Sequence, residues 1–197
     1  RASYAEEIRG YIATQSFDRN RMRVLEGLMR LRQVCCDPRL IALEGGKAVT
    51  SAKLDYLMDM LHELIAAGRR ILVFSQFTSM LELIEADLHA ERIRYVKLTG
   101  QTEDRATPVQ RFQRGEVPVF LISLRAGGFG LNLTRADTVI HYDPWWNPAV
   151  ESQATDRAHR IGQDKPVFVY RLIAADTVEE RILALQARKR ELADALF

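Results

Sequence analysis

Short apolar runs alternating with amphipathic helical stretches constrain this chain more than any other feature. Ile71-Leu-Val-Phe-Ser-Gln-Phe, Arg94-Tyr-Val-Lys-Leu-Thr-Gly, Val117-Pro-Val-Phe-Leu-Ile-Ser-Leu, Thr138-Val-Ile-His-Tyr and Val167-Phe-Val-Tyr-Arg-Leu-Ile each read as a strand. Between them, helices are expected from about Ser79 to Ala90, from Arg105 to Arg114, and from near Pro148 onward. Apolar strands separated by such helices build βαβ units, hence a parallel sheet covered on both faces. The expected fold class is therefore α/β, a three-layer parallel sheet flanked by helices. In such sheets ligands bind beyond the carboxyl ends of the strands. That rule selects four loops: Ser75-Gln-Phe-Thr, Leu98-Thr-Gly, Ser123 to Asn132, and Tyr142 to Asn147.

Upstream, Leu54, Leu57, Met58, Leu61, Leu64 and Ile65 mark another amphipathic helix, capped by Ser51 and stopped by Gly68. Residues 1 to about 43 read as helical, with Leu25, Leu28, Met29, Arg32 and Val34 along a stripe and Arg19, Arg21, Arg23 and Arg30 around it. Arginines on a helix usually form a solvated face, and a DNA-facing patch is the less common reading. Pro38 ends this region, and the stretch from Glu44 to Ser51 is the clearest linker.

A net charge of +2 is too mild to argue for nucleic acid, so any such contact must come from local charge. Cys35 and Cys36 are adjacent, with Cα atoms ~3.8 Å apart across a trans peptide, closer than the usual ~4.4–6.8 Å disulfide range; free thiols in a reducing compartment are expected. The four histidines lack ligand spacing, so no metal site is indicated. No apolar run approaches the ~20 residues of a membrane span, and no signal peptide is indicated at the start. The absence of an initiator Met suggests a piece of a longer protein.

Two stretches carry chemistry. From Asp143 to Gln163 the chain reads Asp-Pro-Trp-Trp-Asn-Pro-Ala-Val-Glu-Ser-Gln-Ala-Thr-Asp-Arg-Ala-His-Arg-Ile-Gly-Gln, with Asn147 and Pro148 suited to start a helix. On a continuous helix Gln153, Arg157 and Arg160 would share one face, while Ala154, Ala158 and Ile161 would pack inward. Two guanidiniums a turn apart suit a triphosphate, each being permanently charged and forked. A solvated polar face is the alternative, and spacing alone does not choose. The second stretch, Ser123-Leu-Arg-Ala-Gly-Gly-Phe-Gly-Leu-Asn-Leu-Thr, follows a buried strand and has the glycines to turn sharply beside a ligand. It lacks the Lys-Ser/Thr of a phosphate loop. A dinucleotide fingerprint also fails, because Leu133 stands where its third glycine belongs. A tight turn without a ligand remains open.

Together these stretches resemble the C-terminal lobe of the SWI/SNF-type DNA-dependent ATPases, relatives of the superfamily-two helicases. The resemblance rests on Leu28-Met-Arg-Leu-Arg-Gln-Val-Cys-Cys-Asp-Pro, Ser51-Ala-Lys-Leu, Val73-Phe-Ser-Gln-Phe-Thr and Leu98-Thr-Gly. It rests further on Leu121-Ile-Ser-Leu-Arg-Ala-Gly-Gly-Phe-Gly-Leu-Asn-Leu, Trp146-Asn-Pro and Gln153-Ala-Thr-Asp-Arg-Ala-His-Arg-Ile-Gly-Gln, in family order along essentially the whole chain.

The resemblance implies a RecA-like lobe that faces a second lobe, with ATP in the cleft between them and double-stranded DNA across both. It implies that Arg157 and Arg160 reach the triphosphate, that Gln153 sits beside the phosphates, and that Gly130 and Asn132 approach the nucleotide. Ser75, Gln76, Thr99, Gly100 and Ser123 match positions that contact the DNA backbone. ATP and Mg2+ would be held mainly by the N-terminal RecA-like lobe, so the isolated chain is expected to be inactive. The implied organisation is a helical protrusion over residues 1–46, the lobe over 47–176 and a closing helix over 177–197. The implied partners are duplex DNA, the other lobe and a protein–DNA complex as substrate, with no membrane. A bacterial cytoplasm or nucleoid is favoured over a nucleus, and a catalytically passive DNA- or protein-binding module is the alternative function. Trp145 stands where the family usually has an acid, and Cys36-Asp37 where it commonly has Asn-His; the first leaves packing near the strand end in question.

Overall fold

A computed structural model describes residues 17–41, 50–127, 130–158 and 166–194. Helix α1 (Phe17–Cys36) leads through a 3-10 turn (Pro38–Leu40) to α2 (Ala52–Ala66). Then follow β1 (Ile71–Ser75), α3 (Thr78–Ala90), β2 (Tyr95–Leu98), α4 (Ala106–Gln113) and β3 (Val119–Ser123). The one-turn α5 (Leu124–Gly127), β4 (Thr138–His141), α6 (Pro148–Thr155), β5 (Phe168–Arg171) and α7 (Val178–Asp194) complete the order. All five strands are parallel, in the order β2-β3-β1-β4-β5. The α/β expectation is met, and each anticipated strand and helix start within the described residues falls within a few positions of its expected place.

The two faces of the sheet follow from the alternation of side chains along each strand. Ile71, Val73, Val119, Leu121 and Ile140 point to one side, where Leu54, Leu57 and Leu61 of α2 and Met80, Leu81 and Ile84 of α3 cover them. Leu72, Phe74, Phe120, Ile122 and Val139 point to the other, against Phe112 of α4, Leu133, and Ala154 with Ala158 at the end of α6. The α2 signals work as expected. Ser51 accepts a hydrogen bond from the Leu54 N–H at 3.3 Å, and Gly68, at φ +74°, closes the helix while the Arg69 N–H returns to the Leu64 carbonyl at 3.0 Å.

Coverage falls short at β5. Among the described residues Phe168 and Val169 are 41% and 38% exposed, because β5 is an edge strand. Phe168 serves instead as a platform for the Arg69 guanidinium, 4.5 Å from its ring centre. The stripe expected on α1 is only partly covered: Leu25 and Met29 are exposed, Leu28 and Val34 half-buried and Arg32 buried. The C-terminal end of α1 is built into the lobe. The Cys36 carbonyl accepts from the Ser51 hydroxyl at 3.0 Å and the Tyr142 hydroxyl at 2.9 Å. Cys36 is buried, Cys35 half-buried, and neither is in a disulfide. The expected helix over residues 1–16, and most of the expected linker, lie outside the described residues.

Helix α7 is tied down by charge. The Lys53 ammonium of α2 donates to both Glu179 oxygens at 2.8 Å and lies over the Tyr142 ring, and Glu179 also accepts the Ala174 N–H at 2.8 Å. Glu179 is fully buried, so removing its partner strands a carboxylate in the interior. Lys53→Ala is expected to lower unfolding free energy by ~3–5 kcal/mol, read by urea denaturation. A loss below ~1 kcal/mol, the value of a surface pair, would show that the pair does not anchor α7.

Candidate nucleotide and DNA interface

Parallel register brings the ends of the strands together on one edge. Ser75 of β1 lies opposite Ser123 of β3, and Leu98 of β2 opposite Ile122, so Thr99 and Gly100 leave the sheet beside Ser123. On the other side of β1, the Tyr142 N–H donates to the Phe74 carbonyl at 2.9 Å, which sets Asp143 next to Ser75 and Gln76. The described parts of the four loops singled out in the sequence thus leave the sheet along one edge, its rim.

The side chains on this rim are not equally free. Ser75 is fully buried; its hydroxyl donates to Asp143 Oδ1 at 2.6 Å and accepts the Phe77 N–H at 3.1 Å. Gln76 is half-buried, its Oε1 accepting from Arg32 Nη1 at 2.8 Å and its backbone N–H directed at the Asp143 carboxylate at 3.3 Å. Ser123 is buried and accepts the Ala126 N–H at 3.3 Å. The Thr99 hydroxyl accepts the Gln101 N–H at 3.3 Å. Gly100 is exposed, carries no positive φ, and would meet nothing within 4 Å if it bore a Cβ. No feature inside the described chain therefore requires glycine at position 100.

In the loop after β3, Gly130 has φ +53° with open space around it, so there the backbone conformation itself calls for glycine. Asn132 is exposed, and its carbonyl accepts from Gln113 at 3.2 Å. The next residue reaches the arginine segment, the Leu133 N–H donating to the Arg157 carbonyl at 3.0 Å.

Asn147 caps α6 by accepting the Ala149 N–H at 3.1 Å, with Pro148 at the first helical position. The helix then ends at Thr155, earlier than the spacing argument requires. Asp156 to Ala158 form a turn in which the Arg157 N–H returns to the Ala154 carbonyl at 3.3 Å and the Ala158 N–H to the Thr155 carbonyl at 2.9 Å. Gln153 and Arg157 consequently do not share a helical face: Gln153 is exposed, whereas Arg157 is 7% exposed. Inward packing of Ala154 and Ala158 is as expected. Arg160 and Ile161 lie outside the described residues. The Arg157 Nε is buried without a hydrogen-bond partner, and no carboxylate among the described residues pairs with this guanidinium.

Sequence reasoning passed over the residues that hold the rim in shape. Arg32, expected along the stripe of Leu25, Leu28, Met29 and Val34, is 1% exposed and reaches the Pro144 carbonyl as well as Gln76. Asp143 is buried, and its pKa is pushed up to about 6 by that burial, against the opposing hydrogen bond from Ser75 and the charges of Arg32 and Lys53. Glu151 is buried in α6; it accepts from the Trp145 N–H at 2.7 Å, from Arg171 Nε at 2.9 Å and from Gln186 Nε2 at 3.1 Å. Burial alone would raise the Glu151 pKa, but these hydrogen bonds outweigh it and hold the carboxylate below its ordinary range. An acid three positions before the inward-facing Ala154 was the readable signal for Glu151. The packing question at Trp145 resolves through the same contact and through its place against the core formed by Leu133, Ala154 and Ala158.

Beneath the rim, His141 stacks on Phe74 at 5.6 Å, and its Nε2 lies 3.1 Å from the Thr155 hydroxyl. That hydroxyl donates to the Glu151 carbonyl at 3.0 Å, so Nε2 carries the imidazole proton. Burial lowers the His141 pKa from 6.5 to about 4, against the attraction of Glu151.

Five parallel strands with their carboxyl-end loops gathered along one edge form an α/β lobe of the class in which ligands bind at that edge. Residues 52–162 match the family model described as helicase conserved C-terminal domain. The chain is 40% identical over 180 residues to a putative ATP-dependent helicase/translocase, YwqA, of Bacillus subtilis, covering 88% of this chain and 20% of that protein. It is 51% identical over 145 residues to the chromatin-remodeling ATPase INO80 of Aspergillus oryzae, covering 72% of this chain and 10% of that protein. The Sulfolobus solfataricus SWI2/SNF2 ATPase core, solved with double-stranded DNA, superposes with TM-score 0.77 at 34% identity, over 97% of this chain and 42% of that one. The chain belongs to the helicase C-terminal domain family, as a RecA-like lobe of the SWI2/SNF2 type. It spans a fifth or less of the two sequence relatives.

His141 yields a pH prediction. From 6.5 down to about 4 the unfolded chain carries the His141 proton and the folded chain does not. This group alone therefore removes ~1.4 kcal/mol of stability per pH unit on acidification. Asp143 acts oppositely, because between about 6 and 3.8 only its folded form is protonated, which adds stability as pH falls. In His141→Phe the loss from His141 is removed while the Asp143 contribution stays. Urea denaturation from pH 6.5 to 4 is expected to show the variant gaining stability relative to the parent; parallel curves would contradict the assignment.

Proposed function

We propose that this chain is the second motor lobe of an ATP-dependent translocase that moves along double-stranded DNA and remodels protein–DNA complexes. The observation that carries the reading is Arg157, a guanidinium 7% exposed with no acidic partner among the described residues. A buried charge without a counter-charge is unfavourable. A triphosphate presented by an N-terminal RecA-like lobe supplies that counter-charge. A passive binding module would have no use for an arginine kept in this state.

In this reading Arg157 and Arg160 donate N–H bonds to the oxygens of the transferring phosphoryl group as charge spreads over them. Such an arginine contributes ~10³–10⁵ in rate in comparable phosphoryl transfers. In the same reading Gln153, exposed on the last turn of α6, orients the phosphates, while Gly130 and Asn132 border the nucleotide. No grouping of His, Cys, Asp and Glu among the described residues suits a metal, so Mg2+ is assigned to the other lobe. We assign the rim of Ser75, Gln76, Thr99, Gly100 and Ser123 to the DNA backbone. Amides, hydroxyls and backbone N–H groups grip phosphates without reading sequence, as a motor that passes over any sequence must. At Ser75 and Ser123, whose hydroxyls are already engaged, the assigned contact is by the backbone. The absent constraint at Gly100 supports the same reading, since a close-lying phosphate would supply a reason for glycine there.

Domain organisation follows: a helical protrusion over residues 1–46, the lobe over 47–176 and a closing helix over 177–197, acting in a bacterial cytoplasm and nucleoid. The isolated chain is expected to hydrolyse no ATP, with or without duplex DNA. Joined to the N-terminal lobe, it is expected to show DNA-stimulated turnover that falls by ~10³ or more in Arg160→Ala and in Arg157→Lys, each with an unchanged melting temperature. Full turnover by either variant would remove the arginines from the mechanism, and turnover by the isolated chain would place the active site elsewhere.

A further inference from the structure

We infer that Arg32 is a positioning residue that ties the DNA-gripping loop after β1 to the loop that launches the arginine-bearing segment. The inference deepens the proposed function and rests on it. Arg32 comes from α1, outside the sheet, yet its guanidinium sits at the junction of both loops. Nη1 donates to the Gln76 side-chain oxygen at 2.8 Å, Nη2 donates to the Pro144 carbonyl, and the Asp143 carboxylate lies 3.6 Å away. The rings of Phe77, Trp145 and Trp146 surround it at 5.7, 5.8 and 5.3 Å. One rigid planar fork thus holds two loops at once, which a flexible point charge such as Lys cannot reproduce.

Both ends of this link lead somewhere. The Gln76 side chain is held through its oxygen, and its buried Nε2 has no partner among the described residues. Engaging a phosphate oxygen would therefore break no bond at Nε2, but turning the amide toward DNA would disturb the bond to Arg32. On the other side, Pro144 precedes Trp145, whose N–H is held by Glu151 of α6, and α6 runs directly into Arg157. The base of α1 is fixed by the Cys36 carbonyl bonds to Ser51 and Tyr142, so Arg32 pivots on a firm support. Movement at Gln76 is passed to the Pro144–Trp146 loop instead of being absorbed by α1. Spatial continuity alone does not demonstrate coupling; a signal at the far end that depends on Arg32 does.

The chain provides its own reporter. Its two tryptophans, Trp145 and Trp146, both flank the Arg32 guanidinium. The experiment titrates the 197-residue chain with a fluorescently labelled duplex of arbitrary sequence at low salt, following label anisotropy for binding and tryptophan emission for the loop. The expected result is that emission shifts on binding in the parent chain. In Arg32→Lys the shift is lost when emission is read at saturating duplex, where anisotropy shows the chain fully bound. Arg32→Met is expected to behave in the same way, and Gln76→Ala to lose the shift with weaker binding. Binding without an emission change in the parent, or an equal change in Arg32→Lys, would overturn the relay while leaving the DNA interface standing. No duplex binding by the parent would overturn the interface itself and the relay with it. Should neither Arg32 variant fold, retention of the full emission change by bound Gln76→Ala would still overturn the proposal.

Discussion

The Asp143 carboxylate, buried where β4 leaves the sheet, is the interaction on which the shape of the rim depends. It takes the Ser75 hydroxyl and the Gln76 N–H, which ties the ends of β1 and β4 into one surface. A carboxylate at that depth needs compensation, and the nearest cation is Arg32 of α1, 3.6 Å away. The end of a helix outside the sheet is thereby committed to the sheet's functional edge. Its other anchors, Tyr142 and Ser51 on the Cys36 carbonyl, follow the same route. The lobe and the base of α1 are accordingly one structural unit in which α1 completes the rim.

Three arginines show how context separates structure from function. Arg171 is paired with Glu151, and through that carboxylate it ties β5 to α6 and α7. Arg32 is still more deeply buried and is satisfied by an amide oxygen, a carbonyl and a nearby acid. Arg157 is almost as buried, yet no acid among the described residues answers it. In the proposed function a ligand completes the arrangement at Arg157. The polar network around Glu151 contributes differently. It fixes the start of α6, so that the segment carrying Arg157 emerges in one orientation.

Much of this was legible in the residues. The strands could be read because buried parallel strands are short, apolar and bounded by turn residues, and the rule for carboxyl ends then selected the loops that form the rim. Ser51, Gly68 and the Asn147-Pro148 start worked because capping is a local property. What could not be read depends on distant parts of the chain. Arg32 lies on the stripe and Arg30, which pairs with Glu26 on the surface, beside it, but the partners that Arg32 finds in Gln76, Pro144 and Asp143 are set by the fold alone. The stop at Thr155 has no breaker in Thr-Asp-Arg-Ala. It arises because the Leu133 N–H claims the Arg157 carbonyl and Ala158 is drawn into the core, so the helical face expected for Gln153 and Arg157 was lost to tertiary contacts. The apolar sequence of β5 gave no hint that it would stand exposed at the edge. Assignment of roles to individual residues rested on family motifs, which spacing could suggest but not supply.

The central claim is that the rim and Arg157 form half of a composite site. The most direct measurement is a structure of this chain joined to its N-terminal RecA-like lobe, with duplex DNA and a transition-state analogue of ATP hydrolysis. The account predicts the Arg157 guanidinium within hydrogen-bonding reach of the analogue's phosphoryl group, and DNA phosphates against Gln76, Gly100 and the end of β3. DNA bound along the amino-terminal edge of the sheet, or Arg157 still buried and turned away from the nucleotide, would contradict it.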